Sequence, residues 1–326
     1  MRLTVANVAF SRAPVRRDAV GGAEQVVAML DAALVAAGHR SIVVARADSE
    51  VAGELHAEIP RDADVVHFHG LDFDRFCGVR RPCRRSDSGG TAAALQIVTV
   101  HLPPSWYAAG ALSHSDFTYV CVSESERAAF PGDALLIPNG IDLDAFVPGD
   151  GGDTLVALGR ICEEKGFHDA VDAAKRADDE LLIAGHVFDY DAHQRYFSEV
   201  LKPKLDARRR FVGAVGGAAK RELLANARAV LIPSRVAETS SLVAMEALAS
   251  GTPVIAYRSG ALPEIVDDGV TGFIVDDVDD LVRAIADVAH IDRARCRAEA
   301  ERRFDARRMI ARYLALYADK MAACSS

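Results

Sequence analysis

Short apolar runs alternate along the chain with longer segments in which apolar residues recur every three or four positions. The short runs predict buried strands, and the 3.6-residue recurrence predicts helices. The clearest helix spans residues 23–37, where Val26, Leu30 and Leu34 share one face and Gly38 follows the last turn. Strands are predicted in the first half of the chain at residues 3–9, 41–45, 64–69, 97–101, 119–123 and 135–138.

The alternation resumes after residues 142–153, a segment rich in Gly and Asp that predicts a linker. Further strands are predicted at residues 154–159, 180–185, 210–213, 229–232, 254–257 and 272–275, and helices at 166–177, 190–205, 220–226, 279–289, 293–304 and 306–321. Strands alternating with helices predict an α/β fold with a doubly wound parallel sheet in each half. We therefore expect an N-terminal domain over residues 1–145, a C-terminal domain over 146–305 and a final helix over 306–326.

Composition narrows the class of protein. A chain of 326 residues fits two domains, and half of its residues are hydrophobic, as in a globular protein. The formal net charge of −9 argues against bulk nucleic-acid binding. No apolar run approaches the roughly 18 residues of a transmembrane helix, and the N-terminal apolar stretch is too short for a signal peptide. We expect a cytoplasmic enzyme with reduced cysteines, and Cys77 and Cys83 do not have a usual zinc spacing.

A basic run, Arg80, Arg81, Arg84 and Arg85, stands out in an acidic chain. It could meet an anionic acceptor or place the enzyme at a membrane surface. A solvated loop is the simpler interpretation and the favoured one.

Two glutamates, Glu238 and Glu246, flank the predicted start of a helix that follows a buried strand. Glu238 precedes the helix, and Glu246 is expected about two turns inside it. Thr239, Ser240 or Ser241 could cap the helix, whose free backbone N–H groups suit a phosphate. Two carboxylates around such an end suit a ligand with hydroxyls on both sides of a diphosphate, which is the layout of a nucleotide sugar.

This pair resembles the E-x7-E signature of retaining glycosyltransferases with the GT-B fold. The resemblance continues, in the family's order, over residues 21–24, 137–142, 158–166 and 260–266, and so covers nearly the whole chain. It implies two Rossmann-like domains facing across a cleft, with the C-terminal helix crossing back to the first domain. Ligands of such folds lie at the carboxyl ends of the strands.

Two cations lie at a predicted strand-to-helix junction. Arg160 ends the strand and Lys165 precedes the next helix, so both are placed to hold a diphosphate. The resemblance implies the same role for them. It also matches His101, at a strand end, to a histidine that faces the transferred sugar, although a lone histidine there is more often structural.

The remaining donor contacts are implied by the resemblance alone. Glu246 would bind the ribose and Glu238 the donor sugar, both in a polar cleft where a carboxylate adds little to core stability. Backbone groups near the diphosphate and the base are implied at Gly22, Val212, Gly213, Ser241, Leu242 and Val243. Thr239–Ser241 departs from the aromatic-glycine pair that the family often has, which leaves the donor sugar open.

The expected function is therefore a retaining, metal-independent transfer of a sugar from a nucleotide-diphosphate sugar to an acceptor hydroxyl, with no cofactor. Asp-x-Asp pairs occur four times in this Asp-rich chain, and His67 and His69 lack a clear third ligand, so a metal site is not expected. The dinucleotide pattern G-x-G-x-x-G is absent. Alternatives are a sugar-nucleotide-binding protein without catalysis, and an epimerase or phosphorylase of the same architecture, although no pyridoxal-binding lysine is identifiable.

Overall fold

The computed structural model describes residues 2–76 and 94–325. The basic run from Arg80 to Arg85 and the pair Cys77 and Cys83 lie outside these residues. Within the described part, no helix combines the length and the apolar character needed to cross a membrane.

The chain divides into two compact units. The first comprises Met1–Asn139 together with Ala306–Ser326, and the second comprises Gly140–Asp305. The division between them falls a few residues before residue 145, where the linker pattern places the boundary.

The first unit is built on a parallel sheet. Its strands are β1 Thr4–Val8, β2 Arg40–Val44, β3 Glu54–His56, β4 Val65–Phe68, β5 Leu95–Val100, β6 Thr118–Cys121 and β7 Leu135–Leu136. Over the described residues their order is β3-β2-β1-β4-β5-β6-β7, so the direction of winding reverses between β1 and β4. Such a reversal opens a crevice at the carboxyl ends of the two strands.

The second unit repeats this plan. Its strands are β8 Leu155–Leu158, β9 Leu181–Ala184, β10 Arg209–Phe211, β11 Ala229–Ile232, β12 Val254–Tyr257 and β13 Gly272–Val275. Their order in the sheet is β10-β9-β8-β11-β12-β13, and the winding reverses between β8 and β11. Two parallel sheets confirm the predicted α/β class.

Helices lie between the strands and after the last one. They are α1 Gly22–Ala36, α2 Glu124–Ala129, α3 Phe167–Arg176, α4 Asp191–Arg195, α5 Gly217–Ala225, α6 Leu242–Ala249, α7 Leu262–Ile265, α8 Val278–Asp287, α9 Arg293–Arg303 and α10 Ala306–Ser325. The helix predicted at 190–205 is regular only in α4. It continues as a π-helical stretch, Tyr196–Leu201, and ends in a 3-10 turn, Lys202–Lys204, where Pro203 cannot donate a backbone hydrogen bond.

The sequence pattern does not predict the short elements β3 and α2. β3 is an edge strand of three residues without an apolar run. α2 is only six residues long, yet the residues at its start form a recognisable helix cap. The Ser123 hydroxyl accepts a hydrogen bond from the Glu126 backbone N–H at 3.1 Å, and Glu126 accepts one from Val122 N–H at 2.7 Å, much as in a capping box.

Helix α10 packs on the first unit, as the fold class implies. Met309, Tyr313, Tyr317 and Met321 are buried in the same apolar cluster as Leu30 of α1. Their recurrence at every fourth residue puts these side chains on one face of the helix. The C-terminal residues therefore complete the core of a sheet that begins at residue 4.

A polar cluster lies beneath α10. The Tyr317 hydroxyl lies 2.7 Å from His67 Nδ1, and the Tyr313 hydroxyl lies 2.9 Å from Thr99 Oγ1. His67 Nε2 lies 2.7 Å from the same Thr99 oxygen. Burial lowers the pKa of His67 to about 3, so its ring is neutral at pH 7.

Acid should therefore destabilise the first unit. The pKa of His67 falls from an ordinary value of 6.5 to about 3 on folding, so between these pH values the unfolded chain binds more protons. The stabilising effect is complete above pH 6.5 and is lost as the pH falls. At pH 5 the loss in unfolding free energy is about 2 kcal/mol for this histidine alone.

Urea unfolding at pH 7.5 and pH 5.0 measures this loss. The single tryptophan, Trp106, lies in the first unit and reports its unfolding by fluorescence. The wild type should lose about 2 kcal/mol more than His67→Gln between the two pH values. Equal losses in both proteins would show that His67 does not carry the pH dependence.

Candidate active site

The cations predicted from the sequence lie where the winding of the second sheet reverses. Arg160 follows β8, and a short 3-10 turn, Glu163–Lys165, leads into α3. Gly166 ends that turn in the left-handed conformation with φ of 63°. A Cβ at Gly166 would collide with the carbonyl oxygen of Pro233, just beyond β11, so only glycine lets the turn approach that strand.

Lys165 and Glu238 are in direct contact. The Lys165 ammonium donates to Glu238 Oε1 at 2.5 Å, and the two side chains are 26% and 8% exposed. Gly260 packs against the backbone of Glu238, whose carbonyl accepts a hydrogen bond from Ala261 N–H at 2.7 Å. The sequence assigns these two charged groups to different parts of a ligand, whereas the structure pairs them with each other.

Helix α6 begins at Leu242, and Ser241 is its cap. The Ser241 hydroxyl accepts a hydrogen bond from Ala244 N–H at 3.3 Å. The backbone N–H groups of Leu242 and Val243 lie in the first turn, where a helix offers no carbonyl partner. Glu246 is the fifth residue of α6, so it lies little more than one turn from the start. The prediction of two turns was wrong, because the cap is the last of the three candidate residues.

Glu246 is buried in the core and paired with a lysine that the sequence analysis does not single out. Lys220, in α5, donates to Glu246 Oε1 at 2.5 Å, and the two side chains are 11% and 2% exposed. Glu246 Oε2 is also buried and has no hydrogen-bond partner among the described residues. Burial raises the pKa of Glu246, and Lys220 opposes that rise.

This pair changes two expectations for Glu246: where its side chain lies, and how much it contributes to stability. Glu246 does not lie in a polar cleft, so replacing it will affect stability as well as binding.

The sequence contains a pattern that could have identified Lys220. It precedes Leu224 by four residues, so it lies on the buried face of its helix. A lysine on a buried face needs an acidic partner, and Glu246 is that partner.

Arg160 differs from the two lysines. It is half-buried, and its Nε has no hydrogen-bond partner within the described chain. This Nε is also buried, so an anion that reached it would satisfy a donor that is costly to leave unpaired. Its charge also helps to lower the pKa of His193, after the larger effect of burial.

The residues predicted near the base follow the edge strand β10. Val212 N–H donates to the Ile183 carbonyl at 2.9 Å, and the Gly213 carbonyl accepts from Gly185 N–H at 2.8 Å. Val212 is 43% exposed, so its side chain can meet a ligand. Arg160, Val212 and Glu238 thus follow three strands of one sheet at the same carboxyl edge.

Gly22 and His101 belong to the first unit. Gly22 is the first residue of α1, after β1, and His101 follows β5. His101 Nε2 lies 3.0 Å from His69 Nδ1, and the His101 N–H donates to the Tyr107 hydroxyl at 3.2 Å. Burial lowers the pKa of His101 to about 4, so its ring is neutral at pH 7.

Residues 152–290 match the family model of the glycosyl transferases group 1. This region belongs to the group 1 glycosyl transferases. The family resemblance carried by the E-x7-E pair is thereby confirmed. Lys165, Lys220 and both glutamates lie inside the matched region, whereas Gly22 and His101 lie outside it.

Curated relatives of the chain include two proteins of Mycobacterium tuberculosis (strain ATCC 25618 / H37Rv). A phosphatidyl-myo-inositol mannosyltransferase is 34% identical over 163 residues, which cover 46% of this chain and 42% of the relative. A glycogen synthase is 33% identical over 201 residues, which cover 57% of this chain and 46% of the relative. The chain thus spans less than half the length of these curated relatives.

Solved structures resemble this chain over nearly its whole length. Sucrose-phosphate synthase from Thermosynechococcus elongatus has a TM-score of 0.80 at 22% identity, covering 99% of this chain and 100% of that one. Anabaena Alr3699/HepE in complex with UDP and glucose has a TM-score of 0.78 at 17% identity, covering 98% and 100%. These similarities confirm the predicted GT-B fold.

In one of the Asp-x-Asp pairs, Asp62 and Asp64, both aspartates have other partners. Asp64 accepts a hydrogen bond from Thr4 N–H at 2.7 Å, and Asp62 pairs with Arg40 at 2.9 Å. Over residues 2–76 and 94–325, no cluster of His, Cys, Asp or Glu side chains could hold a metal ion.

Breaking the pair between Lys220 and Glu246 should destabilise the second unit. Lys220→Met leaves a carboxylate buried without its cation, which costs about 3–5 kcal/mol. Lys204→Met is the matched control, because Lys204 pairs with Asp172 at 2.7 Å with both side chains more than one third exposed. Such a pair contributes about 0–1 kcal/mol.

Denaturant unfolding followed by far-UV circular dichroism measures both changes. The double variant Lys220→Met/Glu246→Leu should recover much of the loss, because it removes both buried charges. If Lys220→Met costs no more than Lys204→Met, the buried pair does not stabilise this unit.

Proposed function

We propose that the protein is a retaining, metal-independent glycosyltransferase that moves a sugar from a nucleotide-diphosphate sugar to an acceptor hydroxyl. The observation that carries the proposal is the arrangement around the start of α6. Glu238 and Glu246 flank the free N–H groups of its first turn, and each glutamate is held by a lysine at 2.5 Å. This arrangement supports a phosphate site between two carboxylates that could bind hydroxyl groups.

The diphosphate is assigned to the N–H groups of Leu242 and Val243, to Arg160 and to Lys165. Arg160 brings a donor without a partner among the described residues. Lys165 brings a charge that already has one acceptor, Glu238, at 2.5 Å. A bound diphosphate would therefore share Lys165 with Glu238 rather than meet a free cation.

The ribose is assigned to Glu246. Its Oε2 is buried and lacks a hydrogen-bond partner within the described chain, so a hydroxyl that reaches it would satisfy an atom that is costly to leave unpaired. Lys220 favours the charged carboxylate, which is the stronger acceptor. Val212 and Gly213 are assigned to the base.

The transferred sugar is assigned to Glu238 and His101. The neutral ring of His101 can hydrogen-bond to a sugar hydroxyl without adding a further positive charge beside the donor. In the reaction, the acceptor oxygen forms a bond to the anomeric carbon as the bond to the diphosphate oxygen breaks, on the same face of the sugar. The acceptor proton passes to the leaving phosphate oxygen, and the protein supplies orientation and charge stabilisation.

The similar proteins support this class of function. Anabaena Alr3699/HepE, which shares the fold, binds UDP-glucose in its structure. Curated relatives carry the names of a mannosyltransferase, a D-inositol 3-phosphate glycosyltransferase and a glycogen synthase. We extend to this chain only what they have in common, which is glycosyl transfer.

Replacing each of the two glutamates should have a different effect on ligand binding and on catalysis. Glu246→Gln should weaken the nucleoside diphosphate and the intact nucleotide sugar alike, each by about 10- to 100-fold, as for loss of a charged hydrogen bond. Glu238→Gln should leave nucleoside diphosphate binding unchanged or slightly tighter, because Lys165 is released from its carboxylate partner. Its kcat/KM should fall strongly, since contacts to the reacting sugar matter most as charge develops.

Calorimetry measures how tightly each variant binds each ligand. The nucleoside diphosphates are UDP, GDP and ADP, and the intact donors are the matching nucleotide glucoses and mannoses. Glu299→Gln is the control, because Glu299 is 5% exposed and pairs with arginines of its own helix. Circular dichroism at the assay temperature must show all three variants folded. Equal loss of both ligands in both site variants would refute the assignment, and binding without transfer by the wild type would favour a binding protein.

Activity should not require a divalent ion. Arg160, Lys165 and the N-terminus of α6 already supply positive charge to the diphosphate. Transfer rates before and after treatment with EDTA should agree within about twofold. Activity that disappears with EDTA and returns with manganese or magnesium would instead indicate a metal-dependent transferase.

A further inference from the structure

Three histidine rings lie side by side at the carboxyl end of the first sheet. His67 is in β4, His69 follows that strand, and His101 follows the neighbouring strand β5. The ring centroids of His67 and His69 are 4.0 Å apart, and those of His69 and His101 are 5.3 Å apart with a tilt of 22°. The last of the three is the residue assigned to the transferred sugar.

His67 has a complete set of partners. Its two ring nitrogens lie 2.7 Å from the Tyr317 hydroxyl and 2.7 Å from Thr99 Oγ1. Its role in joining α10 to the sheet explains why it is there.

His69 has no such explanation. It is 3% exposed, its Nδ1 lies 3.0 Å from His101 Nε2, and its Nε2 has no hydrogen-bond partner in the described part of the chain. A buried polar atom without a partner is destabilising, and an apolar side chain at this position would avoid that cost. Among the described residues, the hydrogen bond of the His69 ring is the one to His101.

We propose that His69 is a positioning residue that fixes the ring orientation and the tautomer of His101 for sugar transfer. The inference rests on the proposed function, in which His101 faces the sugar. Two neutral imidazoles that meet nitrogen to nitrogen share a single proton. Whichever ring donates it, the proton on the other ring is thereby placed, so the tautomers of the two residues are linked.

The neutrality that this linkage needs comes from burial. Burial lowers the pKa of His69 well below its ordinary value and that of His101 to about 4. At pH 7 neither ring carries a second proton, so His101 can donate from one nitrogen only. Which nitrogen that is decides whether His101 donates to or accepts from a hydroxyl of the donor sugar.

Two substitutions separate positioning from packing. In His69→Asn, the amide group occupies the place of the imidazole Nδ1 and can still bond to His101. In His69→Leu, the volume is kept and the bond is lost. Tyr317→Phe is the matched control, because it removes a buried hydrogen bond of 2.7 Å from the neighbouring His67 and leaves the contact between His69 and His101 in place.

The first readout is nitrogen-15 NMR of the full chain labelled in histidine, with the His101 signals identified by their loss in His101→Gln. We expect one tautomer of His101 in the wild type and in Tyr317→Phe, and a mixture or the other tautomer in His69→Leu. The second readout is steady-state transfer. His69→Leu should lower kcat at least tenfold with the donor KM changed less than threefold, and His69→Asn should recover most of that loss.

Unchanged His101 nitrogen shifts in His69→Leu would overturn the proposal. So would a fall in kcat that Tyr317→Phe reproduces or that His69→Asn does not relieve, because the effect would then be structural. If the wild type transfers no sugar from any donor, the proposed function fails, whereas the nitrogen shifts still decide whether His69 sets the state of His101.

Discussion

The second unit depends on the burial of one helix. Every residue of α6 except Val243 is buried, and Glu246 is the only charged group among them. A carboxylate in such a place is tolerated only with a cation beside it, so Lys220 and α5 must pack against α6. Because α6 is held in this way between the sheet and α9, its first turn is fixed at the carboxyl edge of the sheet. The position of the N–H groups in this first turn follows from the packing of the rest of the helix.

The two lysine–glutamate pairs beside α6 differ in their freedom. Lys220 and Glu246 are almost wholly enclosed, so they are set before any ligand arrives, which is the arrangement that makes fixed charges effective. Lys165 is 26% exposed and is carried on a short 3-10 turn, so it can exchange part of its contact with Glu238 for a ligand oxygen. Equal distances of 2.5 Å therefore describe one enclosed pair and one pair whose lysine solvent reaches.

The first unit uses polar groups inside its core in another way. Its central strands carry His67 and Thr99 on the face that α10 covers, and two tyrosine hydroxyls of α10 complete their hydrogen bonds. The final helix is therefore joined to the sheet by specific bonds as well as by apolar contacts. Burial keeps the rings of His67, His69 and His101 neutral, so this polar row adds no charge to the carboxyl edge of the sheet.

The sequence by itself determined the α/β class, the alternation of strands and helices, the amphipathic tail and the E-x7-E pair. Each of these depends on the spacing of residues that are close together along the chain. It did not determine the short elements β3 and α2, whose stability comes from neighbours rather than from their own periodicity. Nor did it determine the partners of Glu238, Glu246 and His101, which lie 73, 26 and 32 residues away along the chain. Residue spacing records which face of a helix or strand a side chain occupies. Only the packing of one element on another decides which charge or ring it meets there.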